Sequence, residues 1–542
     1  MPQYSFLFSI FEAQEGLLMA RKVLLALFLT LLSSSITAQN VSTGDINWWC
    51  NQTPYADDCK YFMTSHFSES FKPKDKSQFL KMSVQVALEQ TLLCQNQTVS
   101  LGPPKCGGGG GSGGEQEAWA TCLELYDSTV RQLNRTINPD GKITNFDAQT
   151  WLSTALTNLE TCRAGFADIG ITNVTLPTRW DNVSNLISNT LAINKAPTED
   201  DGSGTHDYPN WVSEVDRKLL QSRGLGARAK FVVAKDGSGN FRTIKDALDM
   251  AVKTRKGSRR IVIYVKGGVY WENIEIDATI PNIMLVGDGM RKTIISGSKS
   301  VGGSTTTFTS ATFGAMGEGF IARGITFRNT AGPKSQAVAL RSGSDHSAYY
   351  RCGFEGYQDT LYVHSQRQFY KECYIYGTID FIFGNAAVVF QNCIIYVRKP
   401  IFGQANVITA QGRIDPNQNT GISIYKSSVM AASDLRPVLS SYKTFLGRPW
   451  KQYSQTVYLE TYLDNLVHPK GWTTWGGNFA LNTLYYGEYK NYGPASSTKR
   501  RVRWRGYHVI TNPREAARFT VSKFIAGRSW LPSTGVPYSD DL

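Results

Sequence analysis

The sequence predicts a two-domain chain: an all-α bundle of about four helices, then an all-β solenoid of short coils. Three observations predict it. The 542 residues exceed what one hydrophobic core organises, so two folded units with connecting segments are expected. Apolar residues recur at helical spacing up to about residue 195. From Phe231 they give way to short β-rich runs punctuated by Gly, Asn and Asp. Finally, Cys352, Cys373 and Cys393 recur at intervals of 21 and 20 residues. An aromatic precedes each by two or three positions (Tyr350, Tyr370, Phe390), and an apolar residue follows two positions later (Phe354, Ile375, Ile395). A repeat of that length, built of strands and turns, is one coil of a solenoid.

Residues 1–38 read as a targeting segment. Arg21 and Lys22 precede an apolar run from Val23 to Leu32, then the small residues Ser33 to Ser35, Thr37 and Ala38. The run is too short for a membrane span, so secretion without stable membrane insertion is expected. Met19 is an alternative start. Nine cysteines suit disulfides in an oxidising compartment, with one left over. N-x-Ser/Thr sequons begin at Asn40, Asn51, Asn96, Asn134, Asn173 and Asn182, all before residue 190, so the two halves differ in surface.

Residues 39–195 form the expected helical domain. Segments 77–93 and 149–162 carry apolar residues at helical spacing. A glycine-rich run at 107–114 reads as a flexible insertion. Cys50 and Cys59 are placed to staple an entry hairpin, and Cys122 and Cys162 to cross-link two helical segments. Spacing leaves the state of Cys94, Cys106 and Cys352 open. Residues 196–227 are the linker, with the dibasic Arg217-Lys218-Leu219-Leu220. The solenoid domain occupies 228–542.

The chain is 41% hydrophobic and 19% charged, which excludes a disordered class. A net charge of +13 suits a polyanionic partner but does not select one. The densest basic run is Lys499, Arg500, Arg501, Arg503 and Arg505 around Trp504. Its plain reading is a solvated basic face.

The repeat brings chemistry together. Asp359 follows Cys352 by seven residues, and Asp380 follows Cys373 by seven. The aspartates therefore occupy equivalent positions on adjacent coils, about one strand spacing (~4.8 Å) apart. Two carboxylates that close cannot both ionise freely, which separates a proton donor from an anionic nucleophile or base. Gln358 adjoins Asp359, and Gln336 lies about one coil earlier, so both amides can face a developing oxyanion. Arg448, in Leu446-Gly447-Arg448-Pro449-Trp450, can hold one aspartate ionised. Trp450 offers a flat apolar face for a sugar ring, and Tyr357, Tyr362, Phe381 and Phe383 supply apolar walls. The competing plain reading is an Asp ladder that caps backbone groups at solenoid turns. No G-x-S-x-G elbow or metal-ligand spacing of Cys and His is present. Gly237-Ser238-Gly239 is an incomplete dinucleotide fingerprint.

With these motifs in order, residues 228–540 resemble plant pectin methylesterases. The matching stretches are Gly268-Val269-Tyr270-Trp271-Glu272, Gln336-Ala337-Val338-Ala339-Leu340, Gln358-Asp359-Thr360-Leu361, Asp380-Phe381-Ile382-Phe383-Gly384 and Leu446-Gly447-Arg448-Pro449-Trp450. The earlier region resembles the pectin methylesterase/invertase inhibitor domain through its paired cysteines and residues 151–162. Arg217-Lys218-Leu219-Leu220 resembles that family's subtilase processing site.

The resemblance implies a right-handed parallel β-helix that hydrolyses galacturonate methyl esters of pectin in the cell wall. It implies Asp380 as nucleophile, Asp359 as proton donor and then base, Gln336 and Gln358 as oxyanion hole, and Arg448 as partner of Asp380. Thr307, Gln336, Arg448 and Trp450 match substrate contacts. The implied partners are methyl-esterified homogalacturonan, a subtilisin-like processing protease and proteinaceous inhibitors, with no nucleic acid, cofactor or metal expected. It also implies a Cys373–Cys393 disulfide between neighbouring coils. Ser427 and Thr461 stand where many relatives carry a second pair. Rival readings are a pectate lyase or polygalacturonase-type hydrolase on the same scaffold, and an inactive wall-binding or inhibitor protein. Reaction products separate them.

Overall fold

The computed structural model describes residues 44–103, 113–139, 141–171, 180–195, 229–302 and 304–542. The targeting segment, Asn40, Asn173, Cys106, the processing site and the glycine run up to 112 lie outside the described residues.

Among the described residues, six helices make the N-terminal domain: α1 (Ile46–Cys50), α2 (Ala56–His66), α3 (Lys76–Leu101), α4 (Gly113–Ile137), α5 (Asn145–Asp168) and α6 (Trp180–Asn194). The glycine run thus ends inside a helix, since Gly113 and Gly114 open α4. Helices α3 to α6 pack on one another as the expected four-helix bundle. Each start has a local cause. Asp75 accepts the Gln78 backbone N–H ahead of α3 (2.8 Å), and Thr144 and Asp147 form a reciprocal capping box ahead of α5. Both anticipated bridges form: Cys50–Cys59 joins α1 to α2, and Cys122–Cys162 joins α4 to α5. Among the described residues, no helix is long and apolar enough to cross a membrane.

From Phe231 the chain winds into a right-handed parallel β-helix with sheets of 11, 7 and 8 strands. The coils stack in register: Tyr349 pairs with Tyr370 and Tyr370 with Phe390. Their rings stack inside at centroid distances of 4.5 and 4.6 Å. The internal aromatic of the first coil is therefore Tyr349, not Tyr350, and the offset to each cysteine is three throughout. A residue with left-handed φ turns each corner just before the ladder position: Arg351 (52°), Glu372 (54°), Asn392 (55°), Lys426 (47°) and Glu460 (46°). The inward ladder that follows is Cys352, Cys373, Cys393, Ser427 and Thr461.

The ladder corrects one expectation. Cys352, Cys373 and Cys393 are all buried free thiols, so no Cys373–Cys393 disulfide is present. The three thiols are buried in the coil interior, stacked one coil above another. Cys373 and Cys393 each donate to a carbonyl of the preceding coil, at Tyr349 (3.4 Å) and Tyr370 (3.5 Å), and Cys352 donates to Tyr350 O of its own coil (3.5 Å). Ser427 and Thr461 continue the ladder with hydroxyls: the Cys393 N–H donates to Ser427 Oγ (3.1 Å), and the Ser427 N–H to Thr461 Oγ1 (3.4 Å).

Helix α5 lies across the seven-stranded sheet. Its docking face is polar and spaced as a helical stripe. Asn419 donates to Thr150 (2.9 Å), Asn385 to Thr157 (2.8 Å), and Thr161 bonds His364 Nε2 (2.9 Å). An ion network closes one end. The fully buried Arg367 binds Asp345 of the β-helix (2.7 Å) and Asp147 of α5 (2.6 Å). Burial opposes both carboxylates, but Arg367 holds each below the ordinary range. Arg135 pairs with Glu318 (3.4 Å) and lies on the Trp151 ring (3.7 Å).

Candidate active site

Three consecutive coils build the floor. The Ala337 N–H donates to Gln358 O (3.2 Å), and the Asp359 N–H to Ile379 O (3.0 Å). Gln336, Gln358-Asp359 and Asp380 therefore sit one above another. Both aspartates adopt left-handed backbone, with φ of 62° at Asp359 and 51° at Asp380. Non-glycine residues hold that conformation only where the surroundings enforce it. A corner repeated on two coils thus aims two carboxyls at one point.

All seven sequence-derived residues line a single cavity of about 280 Å³: Thr307, Gln336, Gln358, Asp359, Asp380, Arg448 and Trp450. Tyr362, Phe383 and Phe308 complete its apolar wall, with Tyr362 stacked on Phe383 at 4.3 Å. Two expected wall residues are elsewhere. Phe381 is in the coil interior, because the pairing slips between Ile379 and Ile382. Tyr357 packs under Arg398 at 3.7 Å. Trp450 reaches the site because its loop crosses Gly412, where an added Cβ would come within 2.8 Å of the indole.

The two carboxylates differ. Arg448 grips Asp380 with Nε to Oδ1 (2.9 Å) and Nη2 to Oδ2 (2.5 Å). Its guanidinium also lies on the Trp475 ring at 4.3 Å. Among the described residues no hydrogen bond reaches the Asp359 carboxyl. Burial raises the affinity of both for protons, but Arg448 opposes this at Asp380 by hydrogen bond and charge. Asp359 is pushed well above the carboxylate range, by burial first, then by Asp380 and Asp168. Asp380 stays raised overall but less than Asp359, so the environment favours the proton on Asp359 and the negative charge on Asp380.

Sequence reasoning missed Trp475, Asp168 and the roof. Thr161, Ala164, Gly165 and Asp168 of α5 form part of the cavity wall. Asp168 accepts the Thr307 N–H (2.8 Å), and burial raises its own proton affinity. Trp475 was findable, since it follows one coil after Arg448 on a Trp-x-x-Trp run. Nothing local marks Asp168, because its role depends on how two domains dock.

Comparison with known proteins agrees with this geometry. The Pectinesterase family model matches residues 230–528, and that of the plant invertase/pectin methylesterase inhibitor matches residues 44–193. Pectinesterase 2 of Citrus sinensis is 56% identical over 525 residues, 97% of this chain and 100% of that protein. Probable pectinesterase/pectinesterase inhibitor 17 of Arabidopsis thaliana is 56% identical over 513 residues, 94% of this chain and 97% of that protein. Among solved structures, pectin methylesterase from carrot is 55% identical with a TM-score of 0.56, covering 58% of this chain and 98% of that one. The chain therefore belongs to the pectinesterase family, with an inhibitor-like helical region ahead of its β-helix.

Proposed function

We propose that the chain hydrolyses methyl esters of galacturonate units in pectin, releasing methanol and leaving pectate. The observation that carries the reading is the asymmetric pair: Asp380 gripped by Arg448, and Asp359, 21 residues earlier on the preceding coil, without that partner and with the higher proton affinity. Asp380 attacks the ester carbonyl. The Gln336 and Gln358 amides donate to the oxyanion that forms. Collapse expels methanol, which takes the Asp359 proton and leaves an acyl–Asp380 anhydride. Asp359, now a carboxylate, removes a proton from water as that water attacks the acyl carbon. Asp380 leaves as carboxylate, and Asp359 regains its proton. Thr307, Arg448, Trp450 and Trp475 position the sugar.

The helical domain acts as an internal inhibitor in this reading. Helix α5 lies over the cleft along which a polysaccharide must run, and Asp168 occupies the Thr307 N–H that substrate would use. Cleavage in the 196–227 linker, at Arg217-Lys218-Leu219-Leu220, releases it. Passage through the secretory pathway to the cell wall fits the sequons, since Asn51, Asn96 and Asn134 are all exposed.

Methanol release from highly methylated pectin tests the reaction, with the linker cut in wild type and in Asp380→Asn. Methanol from the wild type alone supports it. New reducing ends or unsaturated ends without methanol would replace it with the hydrolase or lyase reading.

A further inference from the structure

The coils beyond Arg448 collect cations. Residues 441–510 hold ten Lys and Arg against three Asp and Glu. Two of those acids are already engaged, Glu460 with Lys426 (3.6 Å) and Glu488 with Arg501 (2.7 Å). The basic run around Trp504 is not uniformly solvated. Arg501 is buried and also donates to Pro469 O (3.1 Å), whereas Lys499, Arg500, Arg503 and Arg505 stay exposed.

Three successive coils bring Lys443, Lys470 and Arg500 together around His468. The His468 N–H donates to Thr444 O (2.8 Å), and the Val502 N–H to Lys470 O (3.1 Å). The His468 ring packs on Phe445 at 5.1 Å. All three cations are exposed, and none forms an ion pair among the described residues. After burial, they are the charges that hold the His468 imidazole below its ordinary range. Lys443 precedes the strand Thr444–Gly447, whose other end leads into Arg448. The patch therefore lies roughly 16 Å from the catalytic arginine along one extended strand.

Among the described residues, those of the inhibitor-like domain do not cover it. That domain's contacts fall on residues such as Thr307, His364, Arg367, Asn385 and Lys451. The charges spread over coils about one strand spacing apart. A linear chain bearing one carboxylate per sugar matches that layout, and its methyl-esterified form, which is uncharged, does not.

We propose that Lys443, Lys470 and Arg500 form an exosite for a polycarboxylate, the de-esterified stretch of a polyuronate chain, and that this exosite is open while the cleft is still roofed. The polycarboxylate's identity as product rests on the esterase reading, but binding requires no turnover. The exosite holds de-esterified chain beside the cleft, and gives the uncleaved protein a grip on acidic polysaccharide.

The test is binding of the full, uncleaved chain to immobilised polygalacturonate, with fully methyl-esterified polymer as control. The wild type is expected to bind polygalacturonate, to be released by raised salt, and to ignore the esterified polymer. K443E/K470E/R500E should bind roughly tenfold or more weakly, with an unchanged unfolding midpoint and, after linker cleavage, unchanged methanol release from short fully methylated oligomers. Lys443→Gln alone should weaken binding about twofold and guards against misfolding of the triple variant. Wild-type affinity in both variants, or equal binding of the esterified polymer, overturns the proposal. Absence of methanol from the cleaved wild type would strike the esterase reading alone, since the binding arm is read without catalysis.

Discussion

The interior of the β-helix and the face where α5 meets it are both largely buried, but they are held in opposite ways. Inside the coils, apolar and aromatic side chains stack on their own repeats, and strand pairing satisfies the backbone. At the docking face, Thr150, Ser153, Thr157 and Thr161 meet Asn419, Asn385, Gln418 and His364, with Arg367 buried between two carboxylates. The coil interior is built to be permanent. The docking face satisfies its groups in the assembled state but consists of residues that water also satisfies once the domains part. That difference suits the proposed release of the helical domain from the cleft.

The comparison is broken most severely at the charges. Asp380→Asn, which removes the proposed nucleophile and the Arg448 partner, should lower methanol release by roughly 10⁴-fold or more. Asp359→Asn should cost about 10²- to 10⁴-fold. Arg367→Ala leaves Asp345 buried and uncompensated, so a loss of about 3–5 kcal/mol in unfolding free energy is expected. A change below 1 kcal/mol in denaturant titration would remove that network from the account.

A subtler break uses protons. His364 is fully buried, and burial, then Arg341, pulls its imidazole down to about 3. Released from Thr161, the ring returns toward about 6.5. Between those values the undocked form binds the extra proton, so His364 supports docking fully above about pH 6.5 and loses that support as pH falls. Asp168 and Asp359, both raised, act in the other direction, so the variant must isolate the effect. In His364→Gln, the decline in domain docking between about pH 6.5 and 5 should flatten; an unaltered slope would remove His364 from it. Thr157→Val should weaken docking by only about 1 kcal/mol, read as higher activity of the intact chain. Smallest of all, alkylation of the denatured chain without reduction should label both Cys373 and Cys393; protection of both would restore the disulfide between coils.

The same contrast explains what the sequence made legible. The coil ladder announced itself because identical positions recur every twenty or so residues, and it carried Asp359 and Asp380 with it. Tyr350 was mistaken for Tyr349 because neighbouring tyrosines differ only in which face of the sheet they occupy. Phe381 was misplaced because the slip beside Asp380 changes the side on which the ring emerges. The roof was invisible: α5 reads as an ordinary helix, and its Thr-Ser-Asn stripe has no apolar period to mark it as buried. The cysteine pairing came by resemblance, and in this chain those thiols stack at ladder spacing instead.

The most direct test of the central claim is methanol release from highly methylated pectin, measured on the intact chain and on the same sample after linker cleavage. The account predicts a nearly silent intact chain and an active cleaved one, with Asp380→Asn silent in both. Equal activity before and after cleavage would contradict the closed cleft, and methanol from Asp380→Asn would contradict the nucleophile beneath it.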